Sequence, residues 1–175
     1  MTTGLGILRE RGLFDRYTAA LLPHHREAVL ALVAGSWLPT EFMIAHYAAW
    51  DSLALSPEQI RAIGTNVASG VRDNMFRALK HLTTGAGVTP WTLLGQHARL
   101  WARAFDGGGV RVDRSGPKDA TLFFTELPFS RSPYFQGSLL AIHQRVLGTF
   151  STKLYAQLVR GSVRDSSLAM RLAWV

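Results

Sequence analysis

The chain contains no cysteine, which excludes disulfides, thiol chemistry and cysteine-ligated metal sites. Lysine is nearly missing too: Lys80, Lys118 and Lys153 are the lysines among 19 cationic residues. Long apolar runs are absent, and segments such as 28–34 fall far short of the roughly 20 residues a membrane span needs. No basic-then-apolar leader opens the sequence, so the expectation is a cytoplasmic protein without membrane association. Neither GxxxxGK[ST] nor GxGxxG occurs as a phosphate loop, no GxSxG elbow is present, and no HExxH or HxxxH spacing marks a metal centre. Twelve dispersed carboxylates offer no paired acid and base. These absences argue against an enzyme and leave catalytic residues, metal and cofactor each assigned as none.

The charge that is present is positive, +7 over 175 residues, and it is unevenly placed. Residues 1–108 carry a net of +2 and residues 109–175 a net of +5. A basic chain invites a nucleic-acid partner. Most arginines stand singly, however, and no basic row follows one helix face. Nucleic-acid binding is therefore kept as an alternative rather than the main reading.

The pattern of the last third fixes the fold class. Val110 and Val112, then Ala120, Leu122 and Phe124, alternate around Ser115-Gly116-Pro117-Lys118 and predict a hairpin. A helix over 133–148 follows, opened by Ser132-Pro133. Leu154, Ala156 and Leu158, then Leu168, Met170, Leu172 and Trp174, predict a second hairpin. Its connection, Arg160–Asp165, is too long for a tight turn and reads as a mobile loop. The upstream half is helical, with starts at Leu22-Pro23, Leu38-Pro39, Ser56-Pro57 and Thr89-Pro90, where proline loses nothing at the first helical position. Phe42, Ala45, Ala49 and Leu53 line the second of these helices. Ser56 and Gln59 form a capping box, and Ile60 to Leu82 sustain a long helix. Trp91, Leu94, Ala98, Trp101 and Phe105 predict one aromatic-striped helix stopped by Gly107-Gly108-Gly109.

The expectation is a single α+β domain over 1–175. A helical part covers 1–106, and a ββαββ part over 107–175 forms a four-stranded antiparallel sheet crossed by one helix. Leu168, Met170, Leu172 and Trp174 should bury against Phe135, Leu139 and Ile142. Gly64 and Ala68 on the long helix permit close approach, and with Trp37 and Trp50 they point to a homodimer through helices.

Six histidines and five tryptophans carry what chemistry there is. Adjacent His24 and His25 point about 100° apart on a helix and read as solvated. His46 reads as a hydrogen-bonded, half-buried imidazole, and His81 as a favourable charge at a helix C-terminus. His97, beside the aromatic stripe, and His143, on the helix covering the sheet, are placed to line an interior space. Trp91, His97, Trp101 and His143 form the candidate pocket.

Several segments carry a family resemblance: Ser36-Trp37-Leu38-Pro39, Leu55-Ser56-Pro57-Glu58 with Gly64, Leu100-Trp101-Ala102-Arg103, Tyr134-Phe135-Gln136-Gly137 and the terminal Leu172-Ala173-Trp174. With the helices-then-ββαββ order, the chain resembles a bacterial paralogous family of unknown function. That family's plan is similar to heme nitric-oxide/oxygen-binding and vinyl-reductase-type small-molecule-binding domains. In the heme domains a proximal histidine sits near the end of the helix before the first strand. Here 100–104 holds none, and His97 lies about one turn earlier. Their Tyr-x-Ser-x-Arg signature is missing, with Leu122-Phe123-Phe124-Thr125-Glu126 in the corresponding strand. The resemblance implies a domain that lacks the heme ligand. The function expected is a non-catalytic sensor or adaptor in bacterial signalling that binds a small apolar ligand or a protein partner. A heme-based gas sensor using His97 or His143 is the other alternative.

Overall fold

A computed structural model describes residues 2–32, 39–79, 87–105 and 107–175. Trp37 and His81, and the end of the long helix at Leu82, lie outside those residues. The described helices are α1 (Thr2–Glu10), α2 (Phe14–Ala19), α3 (Pro23–Leu30), α4 (Thr40–Asp51), α5 (Pro57–Leu79), α6 (Pro90–Leu94), α7 (His97–Ala104) and α8 (Pro133–Leu147). The strands are β1 (Gly109–Gly116), β2 (Asp119–Thr125), β3 (Leu154–Leu158) and β4 (Leu168–Trp174). They form one antiparallel sheet in the order β1-β2-β4-β3, so the fold is α+β with a helical first half and a ββαββ second half.

Local chemistry sets the element starts. Ser56 and Gln59 exchange the two bonds of a capping box: the Ser56 N–H donates to Gln59 Oε1 at 2.8 Å, and the Gln59 N–H to Ser56 Oγ at 3.3 Å. Ser132 Oγ accepts from the Phe135 N–H at 3.1 Å and opens α8. Pro117-Lys118 makes the tight turn between β1 and β2, with a register irregularity between Arg114 and Gly116. Residues 1–22, ambiguous in sequence because of Gly4, Gly6 and Gly12, form α1 and α2. Burial of Leu5, Leu8 and Tyr17 there outweighs the weak helix preference of glycine.

The inner face of the sheet is one strip. Leu168, Met170, Leu172 and Trp174 join Ala120, Leu122, Phe124, Phe135 and Leu139 in a single core, with Ile142 packed against it. A second core lies among the N-terminal helices around Leu8, Tyr17, Trp50 and Ile63.

Three expectations are corrected by this packing. The helix predicted across 90–105 is two helices, because the chain breaks at Gly95 and Gln96. Trp91 and Trp101 consequently do not share a stripe. The 160–165 connection is fastened rather than loose: Ser130 Oγ donates to the Arg164 carbonyl at 2.7 Å, the Leu127 N–H to the Ser166 carbonyl at 2.8 Å, and Ser162 Oγ bonds both the N–H and the carbonyl of Ala169. His25 is buried against Phe42, with ring centroids 5.7 Å apart, and is not solvated.

The crossing of α5 on α8 explains Gly64. A Cβ placed there would sit 2.8 Å from Ala141 Cβ and 2.9 Å from Ser138 Cα, and one at Gly137 would sit 2.5 Å from Ile60 Cγ2. Each helix thus offers a glycine to the other within one chain, and Ala68 is fully buried as well. The face that pointed to a subunit interface is already filled, so these residues give no basis for the homodimer. Gly64→Ala is expected to destabilise by about 1–3 kcal/mol through overpacking, although alanine is the better helix former. Gly6→Ala, with nothing within 4 Å of the new methyl, should instead stabilise by up to about 1 kcal/mol. Urea unfolding of the pair checks both signs; a stabilising Gly64→Ala would refute the crossing.

Candidate ligand-binding site

Tertiary packing leaves a cavity of about 640 Å³ among α4, α5, α7, α8 and the 126–129 connection. Its wall is mostly apolar and aromatic. Tyr47 lies edge-on to Phe135, with centroids 5.1 Å apart, and close to Phe129 at 4.8 Å. Trp101 stacks on Phe105 at 4.3 Å and leans on Phe124 at 5.0 Å. At the rim, Gly108 (φ +72°) passes so near the β2 end that a Cβ would meet Leu127 Cδ2 at 2.8 Å. The glycine run is therefore a close crossing as well as a helix stop. α8 is attached to α4 by the Tyr134 N–H donating to Asp51 Oδ1 at 2.8 Å, and by Trp50 stacked on the Tyr134 ring at 4.1 Å.

The polar groups of the cavity are few and uncharged, with one exception. His97, first residue of α7, and His143, on α8, meet through their Nε2 atoms at 2.7 Å. With ring planes 17° apart and centroids 5.0 Å apart, the two imidazoles meet tip to tip rather than face to face. His143 Nδ1–H donates to the Leu139 carbonyl at 2.8 Å. That bond leaves His143 Nε2 as a lone pair, so the proton between the rings belongs to His97 Nε2. Burial lowers the pKa of both imidazoles well below the ordinary histidine value, with His143 adding to the effect at His97, and both are neutral near pH 7. His46 Nδ1 is hydrogen-bonded to the Tyr17 hydroxyl at 2.6 Å, and burial lowers the His46 pKa to about 3. Burial also pushes the Tyr17, Tyr47 and Tyr134 phenols upward, so they too stay neutral. Among the described residues lining the cavity, Glu126 carries a formal charge, and no lysine or arginine joins it.

Of the four residues singled out in sequence, the structure brings together His97, Trp101 and His143 at this wall. Trp91 lies elsewhere. Its Nε1–H donates to the Pro117 carbonyl at 2.6 Å, its ring meets Trp174 edge-on at 5.0 Å, and Arg114 lies over it. Sequence reasoning missed His46, Tyr47, Tyr134 and Glu126. One signal was available for His46: with Phe42 and Ala49 it completes the buried stripe of α4.

Among the described residues, no group of three or more His, Asp or Glu is placed to hold a metal ion, and no helix is long and apolar enough to cross a membrane. Neither a protein-family model nor a curated relative matches the chain. Solved structures do. An H-NOX protein from K. algicida, Fe(II) and unliganded, aligns with a TM-score of 0.69 at 10% identity over 99% of this chain and 94% of its own. A point mutant of T. Tengcongensis H-NOX aligns with a TM-score of 0.60 at 12% identity, over 99% of this chain and 94% of its own. A trafficking protein particle complex subunit 3 from Naegleria fowleri, covalently bound to palmitic acid, aligns with a TM-score of 0.58 at 14% identity over 78% of this chain and 95% of its own. At such identities the likeness establishes the fold: this chain is built on the H-NOX plan.

Proposed function

We propose that this domain is a non-catalytic ligand-binding sensor module whose cavity takes a small, neutral, largely apolar molecule. The observation that carries the reading is the cavity of about 640 Å³, walled by apolar and aromatic side chains with a few convergent neutral polar groups. Its size lies within the roughly 300–1,000 Å³ usual for small-molecule sites. The palmitic acid of the Naegleria fowleri protein supports an apolar occupant on this kind of fold.

Heme, which the resemblance to the heme domains raises, fits this donor set poorly. His97 and His143 satisfy each other through the Nε2 atoms an iron would need. Among the described lining residues the formal charge is a carboxylate, Glu126, with no cation to meet heme's two propionates. Titration with hemin is expected to give no Soret shift that depends on His97 or His143. Nucleic-acid binding has less support as well, since Arg111 pairs with Asp113, Arg131 with Asp165 and Arg171 with Asp119.

The test is saturable binding of a neutral dye such as Nile red. The wild type should bind with a blue-shifted emission. Ile142→Trp, which projects an indole into the cavity, should weaken binding by about tenfold or more while the melting temperature changes little. No saturable binding by the wild type would refute the reading.

A further inference from the structure

The cavity's hydrogen-bond account is not closed: of three described lining residues with a buried, unpartnered polar atom, Ser138 lies on α8 and the other two lie one turn apart on α7. Because His143 Nδ1–H is committed to the Leu139 carbonyl, His97 must donate from Nε2, and its Nδ1 is then a bare acceptor. That Nδ1 is buried and has no hydrogen-bond partner. Trp101 follows four residues later, on the same helix face, with its ring 6.3 Å from that of His97 and nearly parallel. Trp101 is buried, and its Nε1–H, a donor only, has no partner either. Both residues line the cavity. A buried polar group left unmatched forfeits its hydration without recompense, so such atoms are rare unless something completes them.

One functional group can serve both atoms: a hydroxyl donates its proton and accepts through oxygen. A carboxylate cannot donate, and it would enter a cavity whose lining charge, Glu126, is of its own sign. An ether accepts without donating. We infer that the ligand is a neutral apolar alcohol or phenol, its hydroxyl donating to His97 Nδ1 and accepting from Trp101 Nε1–H. This rests on the cavity reading above and narrows it to one ligand class.

The experiment is displacement of Nile red from the full chain by 1-tetradecanol, its methyl ether and tetradecanoate, with a 4-alkylphenol and its methyl ether in parallel. Alcohol or phenol should compete about tenfold better than its own ether, the worth of one well-placed buried hydrogen bond, and the carboxylate should compete worst. Whichever hydroxyl compound shows the preference identifies the carrier. In His97→Phe the preference should fall below about twofold while the ether's affinity holds. Should that variant not fold, the ¹⁵N shift of His97 Nδ1 in the wild type gives the same answer, moving with the alcohol and not with the ether. Equal displacement by alcohol, ether and carboxylate would overturn the hydroxyl assignment and leave the cavity reading standing. Dye that none of them displaces would overturn both.

Discussion

Leu172→Asp is expected to abolish folding, while Arg171→Asp melts close to the wild type. The two positions are adjacent on β4, a strand paired on both sides, and the pleat sends them to opposite faces. Leu172 stands opposite Ala120 on β2 and Ala156 on β3, and it is fully buried beneath α8. The two alanines leave the volume that the leucine fills. Replacing it forfeits about 1.5–3 kcal/mol of apolar burial. The incoming carboxylate must then be either buried without a partner or protonated against its ordinary pKa, which costs several kcal/mol more. A loss beyond about 5 kcal/mol reaches the range of a whole domain's net stability, about 5–15 kcal/mol. Arg171 is exposed, faces Thr121 and Gln157 across the sheet, and pairs with Asp119 in water. Losing a surface pair of this kind changes stability little. Thermal melts followed by circular dichroism separate the outcomes, and similar melting temperatures would mean the register is wrong.

That contrast is legible in the residue pattern alone. Alternation with period two assigns Leu168, Met170, Leu172 and Trp174 to one face, and proline at the first position of α3, α5, α6 and α8 marks where those helices begin, because both signals are local. What the pattern does not carry depends on tertiary crossings. His97 and His143 stand 46 residues apart, and nothing in either segment states that their Nε2 atoms will meet. The same holds for Tyr17 and His46, which are 29 residues apart. Trp91 shows the opposite failure. Its spacing to Trp101 is helical, but Gly95 and Gln96 break the helix, and Trp91 instead reaches the β1–β2 turn at Pro117. Gly64 is legible as a close-approach residue. That its partner is α8 of the same chain, not a second subunit, follows from the packing of Ala141 and Ser138 against it. The site is half legible for this reason: residue types announce an interior polar group, and only the fold says which groups face each other.

Acidification should destabilise this domain as pH falls through the range in which a free imidazole takes up its proton. His46, His97 and His143 are buried and neutral in the folded chain, with the His46 pKa lowered to about 3 and those of the His97–His143 pair also well below the ordinary value. In the unfolded chain each returns to about 6.5. A group whose folded pKa is depressed takes up its proton in the unfolded state first, so stability is full above about pH 7 and is lost as pH falls through about 6.5 toward about 4. At pH 5 a histidine that the fold holds neutral favours unfolding by about 2 kcal/mol, so the buried imidazoles together oppose a large share of a marginal domain's stability. Burial is the first cause in each case, and the His97–His143 pair titrates as a unit because a charge on one ring opposes a charge on the other. Urea midpoints measured from pH 7.5 to pH 5 should therefore fall steeply. Replacing both partners of the pair with apolar residues, His97→Phe with His143→Leu, removes two of the three protons from the linkage. The double variant should keep much of its stability at pH 7, since removing both partners leaves neither ring unmatched, and its midpoint should decline far less toward pH 5. A wild-type midpoint that does not change between pH 7.5 and pH 5 would mean that these imidazoles are not buried neutral in solution, and the cavity wall built on them would have to be redrawn.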